Sequence, residues 1–182
     1  MGSEYLPEGL KKIVVSEEEI RGIISRMAKE ITRDYTGRKL VICGLLKGCF
    51  IFLADLVRQI DLPCESLVVS FIKASSYGSG RTPGEIKITE FAELDNYKDY
   101  DMLVVDDILD TGNTFCYLEK YLKGKGFKSV SFCAFLDKPE RRRASASAKY
   151  TGKQIEDEFV VGYGLDFNEK YRTLPFVAAV NT

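Results

Sequence analysis

Between Leu103 and Phe115 the chain sets three carboxylates, Asp106, Asp107 and Asp110, among glycine and hydroxyl residues at the end of an apolar run. Two adjacent acids in that position repel phosphate but suit ribose hydroxyls or a divalent cation. Past them, Asp110-Thr111-Gly112-Asn113-Thr114 opens an amphipathic stretch in which Phe115, Leu118 and Leu122 recur at helical spacing. The first turn of a helix carries unpaired N–H groups and a positive dipole end, which together attract anions, phosphate above all. Gly112 lets the backbone approach closely, and Thr111 and Thr114 add hydroxyl donors. The pattern is strand, acidic pair, tight loop, helix N-terminus. It is built to hold a sugar phosphate.

Other residues of chemical interest fall at comparable places. Lys47-Gly48 ends one apolar run and opens a helix, the location where α/β sheets bind ligands, and a basic residue beside a glycine suits a second anion such as pyrophosphate. Asp137-Lys138-Pro139 also follows an apolar run, so Lys138 belongs at the same sheet edge as Lys47 and Asp110. The segment Phe159 to Asp166 offers an aromatic ring and, seven residues later, a carboxylate. The run Arg141-Arg142-Arg143 is expected to be a solvated face. The chain has no histidine, so proton transfer falls to Asp, Glu, Lys, Tyr or Cys. Five cysteines without C-x-x-C spacing make neither a zinc site nor a disulfide framework. Cys43, Cys49 and Cys133 are expected in the core, and the odd count suits a reducing compartment.

The elements that must position these groups alternate. Ser16 and Glu19 form a capping box ahead of Ile20, Ile23, Ile24, Met27 and Ile31, which trace one helical face up to Gly37. Strands are predicted at Lys39–Leu46, Leu67–Lys73, Met102–Val105 and Val130–Leu136. Helices are predicted at Phe50–Ile60 and from Thr114 to Lys123. Strands alternating with helices imply an α/β fold with a largely parallel sheet. At 182 residues, 45% apolar and 29% charged, the chain is of single-domain size and buries roughly 70% of its unfolded surface. A net charge of −1 offers no field for nucleic acid or an anionic membrane, no apolar run approaches a membrane span, and a cytoplasmic location is expected. The Gly/Ser-rich stretch 75–84 breaks the rhythm and reads as a long loop, of the kind that is either functional or disordered.

The loop at 103–115 resembles the phosphoribosyl-diphosphate (PRPP) motif of the type I phosphoribosyltransferases. Together with L-K-G at 46–48, S-S-Y-G at 75–78 and L-D-K-P to V-V-G-Y-G-L-D at 136–166, the chain is similar to the hypoxanthine-guanine phosphoribosyltransferases from about Ile13 to the C-terminus. The resemblance implies a parallel-sheet core of about 35–155, a small hood from about 1–15 and 156–182, and a flexible lid loop of about 75–86. It implies transfer of the phosphoribosyl group from PRPP to a 6-oxopurine with Mg²⁺, in a homodimer or homotetramer. Asp106 and Asp107 would hold the ribose hydroxyls directly or through the metal. The backbone from Asp110 to Thr114, Gly112 and Asn113 included, would cradle the 5′-phosphate, and Asp110 would serve as general base or proton acceptor. Lys138 would donate to the purine 6-oxo group, Phe159 would stack on the base, and the Val160 backbone would read its edge. Lys47, Gly48 and Arg172 would hold pyrophosphate, next to a cis peptide before Lys47, and Asp166 would ligate Mg²⁺. Ser76 and Tyr77 would be the closing contacts of the lid.

Two rivals share this fold. A PRPP-sensing regulator typically loses the third acid of the loop or adds a DNA-binding segment; here Asp110 is present, no helix-turn-helix is read ahead of the domain, and the pI is about 5.7. A transferase for another base, such as xanthine, adenine, uracil or orotate, is the second, and Lys138 disfavours adenine. A Ser/Gly lid would keep water from the ribose electrophile. Tyr77→Ala is therefore expected to raise unproductive PRPP hydrolysis or lower turnover, and unchanged rates of both would rule the lid out.

Overall fold

The computed structural model describes residues 6–76, 86–90 and 94–181. Its main sheet has six strands: β2 (Leu40–Leu46), β3 (Leu67–Ser76), β4 (Ile86–Glu90), β5 (Asp101–Leu109), β6 (Ser129–Asp137) and β7 (Tyr150–Gln154). They lie in the order β4-β3-β2-β5-β6-β7, all parallel except the antiparallel β3–β4 hairpin. Three helices, α1 (Glu17–Tyr35), α2 (Phe50–Val57) and α3 (Asn113–Gly124), flank it. The strands β1 (Leu10–Val15), β8 (Val160–Val161) and β9 (Val177–Val180) form a second, antiparallel sheet in the order β1-β9-β8. The expected α/β architecture is the one observed.

Strand sequences explain the layering. Successive side chains of β2, β5 and β6 point to opposite faces. Leu40, Ile42, Leu103, Val105, Cys133 and Phe135 pack beneath α1 and α2. Val41, Cys43, Met102, Val104, Phe132 and Ala134 pack beneath α3, against Phe115, Leu118 and Leu122. A sheet buried on both faces needs these near-continuous apolar runs. The capping box starts α1, with the Glu19 N–H donating to Ser16 Oγ at 3.2 Å and the Ser16 N–H to Glu19 Oε2 at 2.9 Å.

The order of strands decides where a ligand can sit. From β2 the chain runs through α2 to β3 on one side; from β5 it runs through α3 to β6 on the other. Right-handed crossovers wound in opposite directions put their helices on opposite faces. A crevice then opens where β2 and β5 end side by side, the usual ligand position in such sheets.

Several boundaries differ from expectation. Helix α2 stops at Val57 rather than Ile60; Ile60 is apolar because it packs into the core beyond the helix. Strand β3 runs three residues past Lys73 and pairs Ser75 with Lys87 and Ser76 with Ile86, so the start of the 75–86 segment is ladder rather than loop. Strand β5 continues through Asp106 and Asp107 to Leu109, with Asp106 opposite Ala134 of β6. Among the described residues no helix is long and apolar enough to cross a membrane.

Phe135 lies at the centre, its ring 5.2 Å from that of Phe52 and 5.1 Å from that of Tyr163. Truncating a fully buried phenylalanine costs its transfer energy and leaves a cavity. Phe135→Ala is expected to destabilise the fold by about 3–5 kcal/mol in urea denaturation. A loss under about 1 kcal/mol would mean that this is not the packing centre.

Candidate active site

The acidic pair is held by backbone on three sides. Asp106 is buried and accepts a hydrogen bond from the Asp107 N–H at 3.0 Å. Burial, then the neighbouring charge of Asp107, pushes the Asp106 carboxyl well above the usual carboxylate range. Burial raises Asp107 as well, against the pull of Arg172 and of its own hydrogen bonds. The pair therefore shares protons that two free aspartates would release. A Cβ on Gly48 would overlap the Asp107 carboxylate, and one on Gly164 would overlap the Gly48 carbonyl oxygen. Only glycine permits this approach at either position, and Gly164, at φ +102°, also needs it for its backbone. The Leu46–Lys47 peptide immediately before Gly48 is cis.

Beyond the pair, Gly112 takes φ +84° as the residue preceding α3. The loop at Thr111 is braced from behind: the N–H groups of Arg143 and Ala144 donate to the Thr111 carbonyl at 2.9 and 3.1 Å. Arg142 donates to the Asp110 carbonyl and pairs with the Asp137 carboxylate. The brace leaves the first N–H groups of α3 facing outward from the helix end, where intrahelical carbonyls cannot reach them. The Asn113 N–H meets Thr111 Oγ1 only at 3.5 Å.

A cleft of about 450 Å³ runs alongside, lined by Asp107, Ile108, Asp110, Lys138, Arg141, Asp157, Phe159, Val160, Leu165 and Asp166. Six of the residues named from the sequence thus share one cavity. Lys138 is 7% exposed, donates to the Glu158 carbonyl at 2.6 Å, and is pushed below the usual lysine range by burial. Phe159 is 47% exposed, and its ring makes a T-shaped contact with that of Phe167 at 5.5 Å. Arg141 bridges the cleft, donating to Asp110 Oδ1 at 2.7 Å and to Asp157 Oδ1 at 3.3 Å.

The cationic end lies on the other side of Gly48. Arg172 donates to the Gly164 carbonyl at 2.7 Å and pairs with Asp166 at 2.8 Å. Lys47 and Arg172 both reach Glu169, at 3.0 and 3.1 Å. Tyr163 ties this loop to α2 through a 2.8 Å hydrogen bond from its hydroxyl to Asp55.

Some expectations need revision. The arginine run is not a plain solvated face, because Arg141 and Arg142 carry the contacts just described; their partners are distant in sequence, so charge pattern alone cannot reveal them. Asp157 and Glu169 were missed for the same reason. Tyr77 lies outside the described residues, and Ser76 is placed only as a strand residue. Among the described residues no group of three or more acids, cysteines or histidines could hold a metal alone. Mg²⁺, however, commonly takes one or two carboxylates and completes its shell with water and substrate phosphates. Two neighbouring carboxyls whose protons are held by burial fit that mode.

An acid pair on a central strand that runs through a glycine turn into a helix start marks a class, and the chain belongs to the phosphoribosyl transferase domain family, whose model matches residues 13–168. Within it, the chain is 42% identical to a hypoxanthine-guanine phosphoribosyltransferase of Staphylococcus epidermidis over 174 residues, 94% of each protein. The crystal structure of a hypoxanthine phosphoribosyltransferase from Staphylococcus aureus superposes with a TM-score of 0.86 at 39% identity, covering 95% of this chain and 92% of that one. A hypoxanthine phosphoribosyl transferase of Trypanosoma cruzi gives 0.86 at 35% identity, covering 97% and 94%.

A carboxyl whose pKa is raised by folding keeps a proton that the unfolded chain releases. It subtracts stability as pH climbs from the unfolded value, about 3.9, through the folded one, and subtracts nothing below both. Ligand-free Asp106→Asn is therefore expected to melt higher than the parent at pH 7 in EDTA, the gap closing toward pH 4. A lower melting temperature at pH 7 would contradict this reading of the pair.

Proposed function

We propose that this chain transfers the 5-phosphoribosyl group from PRPP to N9 of hypoxanthine or guanine, releasing pyrophosphate, a purine-salvage reaction. The observation that carries the reading is one cleft in which Asp107 and Asp110, the latter three residues ahead of α3, face a wall made of Lys138, Phe159 and Val160. The family membership and the names of the relatives point the same way.

Each part has a role in that reaction. The N–H groups from Asp110 to Thr114 bind the 5′-phosphate, with the Thr111 and Thr114 hydroxyls beside them. Asp106 and Asp107 take the ribose hydroxyls, directly or through Mg²⁺. Lys47, the Gly48 backbone and Arg172 receive the pyrophosphate. As N9 bonds to C1′, the bond from C1′ to the pyrophosphate oxygen breaks, and the pyrophosphate keeps the electron pair. Positive charge develops on the ribose and negative charge on the leaving group, so acids at one end and cations at the other stabilise the same transition state. The proton lost from the purine ring passes to Asp110, which shares the cleft with the base.

Asp106, Asp107 and Asp166 would hold Mg²⁺, which would supply charge neutralisation for the leaving group. Lys138 selects the base: a buried ammonium already donating to a carbonyl has a further N–H for the 6-oxo oxygen. An amino group at that position could not accept it, which disfavours adenine.

Product formation from PRPP and Mg²⁺, assayed in parallel with hypoxanthine, guanine, xanthine and adenine, tests the assignment. Turnover is expected with the 6-oxopurines and little with adenine. Asp110→Asn should lower kcat by about 10²–10³-fold, as expected for loss of a proton acceptor. Lys138→Gln should raise KM for hypoxanthine by roughly 10–100-fold, as expected for a hydrogen bond from a charged donor. Tight PRPP binding without turnover of any base would instead identify a sensor built on this fold.

A further inference from the structure

Glu169 stands where none of the roles above calls for an acid. Its Oε1 lies 3.0 Å from Lys47 Nζ and its Oε2 lies 3.1 Å from Arg172 Nη2. One carboxylate thus spans the two cations assigned to pyrophosphate, an oxygen on each. The backbone aims it there. Asn168 and Glu169 adopt φ +52° and +62°, in a tight turn closed between Phe167 and Lys170. The Glu169 N–H donates to Asp166 Oδ2 at 2.9 Å. Non-glycine residues rarely take that conformation, so two in succession mark a turn held by its surroundings.

The arrangement is also easy to undo. The Glu169 side chain is 66% exposed, so water screens its ion pairs and little holds it against a stronger competitor. Arg172 has independent anchors, the Gly164 carbonyl and Asp166, and keeps its place if Glu169 leaves. Lys47 is fixed in backbone by the packing of Gly48 against Asp107 and Gly164.

We propose that Glu169 is an anion placeholder: in the ligand-free protein its carboxylate fills the space between Lys47 and Arg172 that a diphosphate takes on binding. It acts through those two cations and is a positioning residue. Without it, two positive groups would face each other across an empty pocket. With it, the incoming polyanion must displace a monoanion that remains nearby and repels it. That repulsion weakens ground-state binding of PRPP and favours departure of pyrophosphate. The inference rests on the proposed function, since it assumes that Lys47 and Arg172 receive the diphosphate.

The test is calorimetric titration of inorganic pyrophosphate, with Mg²⁺ present, into the parent protein, Glu169→Gln and Lys47→Ala, alongside steady-state kinetics in PRPP. Glu169→Gln keeps the shape and removes the charge. It is expected to bind pyrophosphate about three- to tenfold tighter, the scale of one or two exposed ion pairs. The KM for PRPP should fall by a similar factor, whereas damage to the turn would raise it. Equal or weaker pyrophosphate binding by Glu169→Gln, with Lys47→Ala impaired, overturns the placeholder and leaves the transferase reading intact. Pyrophosphate binding by Lys47→Ala as tight as that of the parent would remove the diphosphate site itself, and both readings of this loop with it.

Discussion

Two neighbouring carboxylates, Asp106 and Asp107, lie within β5 just past its last pairing with β2, and among the described residues neither makes an ion pair. Most of the local architecture follows from tolerating that arrangement. Strand β5 must be central, because only a buried strand end removes enough water to keep the acids unrelieved until a ligand arrives. Gly48 must lack a side chain so that the neighbouring loop can close over Asp107, and Gly164 must lack one so that the C-terminal segment can close over Gly48. Three stretches far apart in sequence are stacked in turn, Gly164 on Gly48 and Gly48 on the Asp107 carboxylate. The unfavourable pairing is a local cost to stability, offset by the layered core on either face of the sheet.

Charge is divided across the crevice with similar economy. The acids occupy the β5 side, the cations Lys47 and Arg172 the far side, and the N-terminus of α3 the third edge. Each group is held by a second one. Arg142 steadies the phosphate loop from behind, Asp166 steadies Arg172, and Tyr163 pins the cationic loop to α2 through Asp55. Arg141 links Asp110 to Asp157 across the cleft. Fixed dipoles and charges arranged before the ligand arrives need no reorganisation during a reaction, which is how such sites lower barriers. In the proposed transfer, opposite charges develop at opposite ends of one breaking bond, and the division across the crevice matches that polarity.

Much of this was legible in the chain. The β2, β5 and β6 runs were visible as uninterrupted apolar segments, α1 through its capping box and spaced isoleucines, and α3 through Phe115, Leu118 and Leu122. Where boundaries slipped, tertiary contact overrode local pattern. Ile60 looked helical but packs beyond the end of α2; Ser75 and Ser76 looked like loop but pair with β4; Asp106 and Asp107 looked like a strand's end but lie within it. The acids, Lys47, Lys138 and Phe159 were recognisable because chemistry at strand ends has a short-range signature. Arg141, Arg142, Asp157 and Glu169 were not, since each owes its place to a partner in another loop.

The sequence by itself determined the alternation of strands and helices, the residues that fill the two faces of the sheet, and the tight glycine loop between β5 and α3. These depend on periodicity, capping and turn geometry within about a dozen residues, and the chain carries that information locally. Only the tertiary structure decided which loops meet: that Gly48 would face Asp107, that Gly164 would close on Gly48, and that one glutamate would span Lys47 and Arg172. Those contacts arise from strand order and from the docking of a second sheet formed by both ends of the chain. Close packing of distant backbones is a property of the whole fold, and no window of sequence contains it.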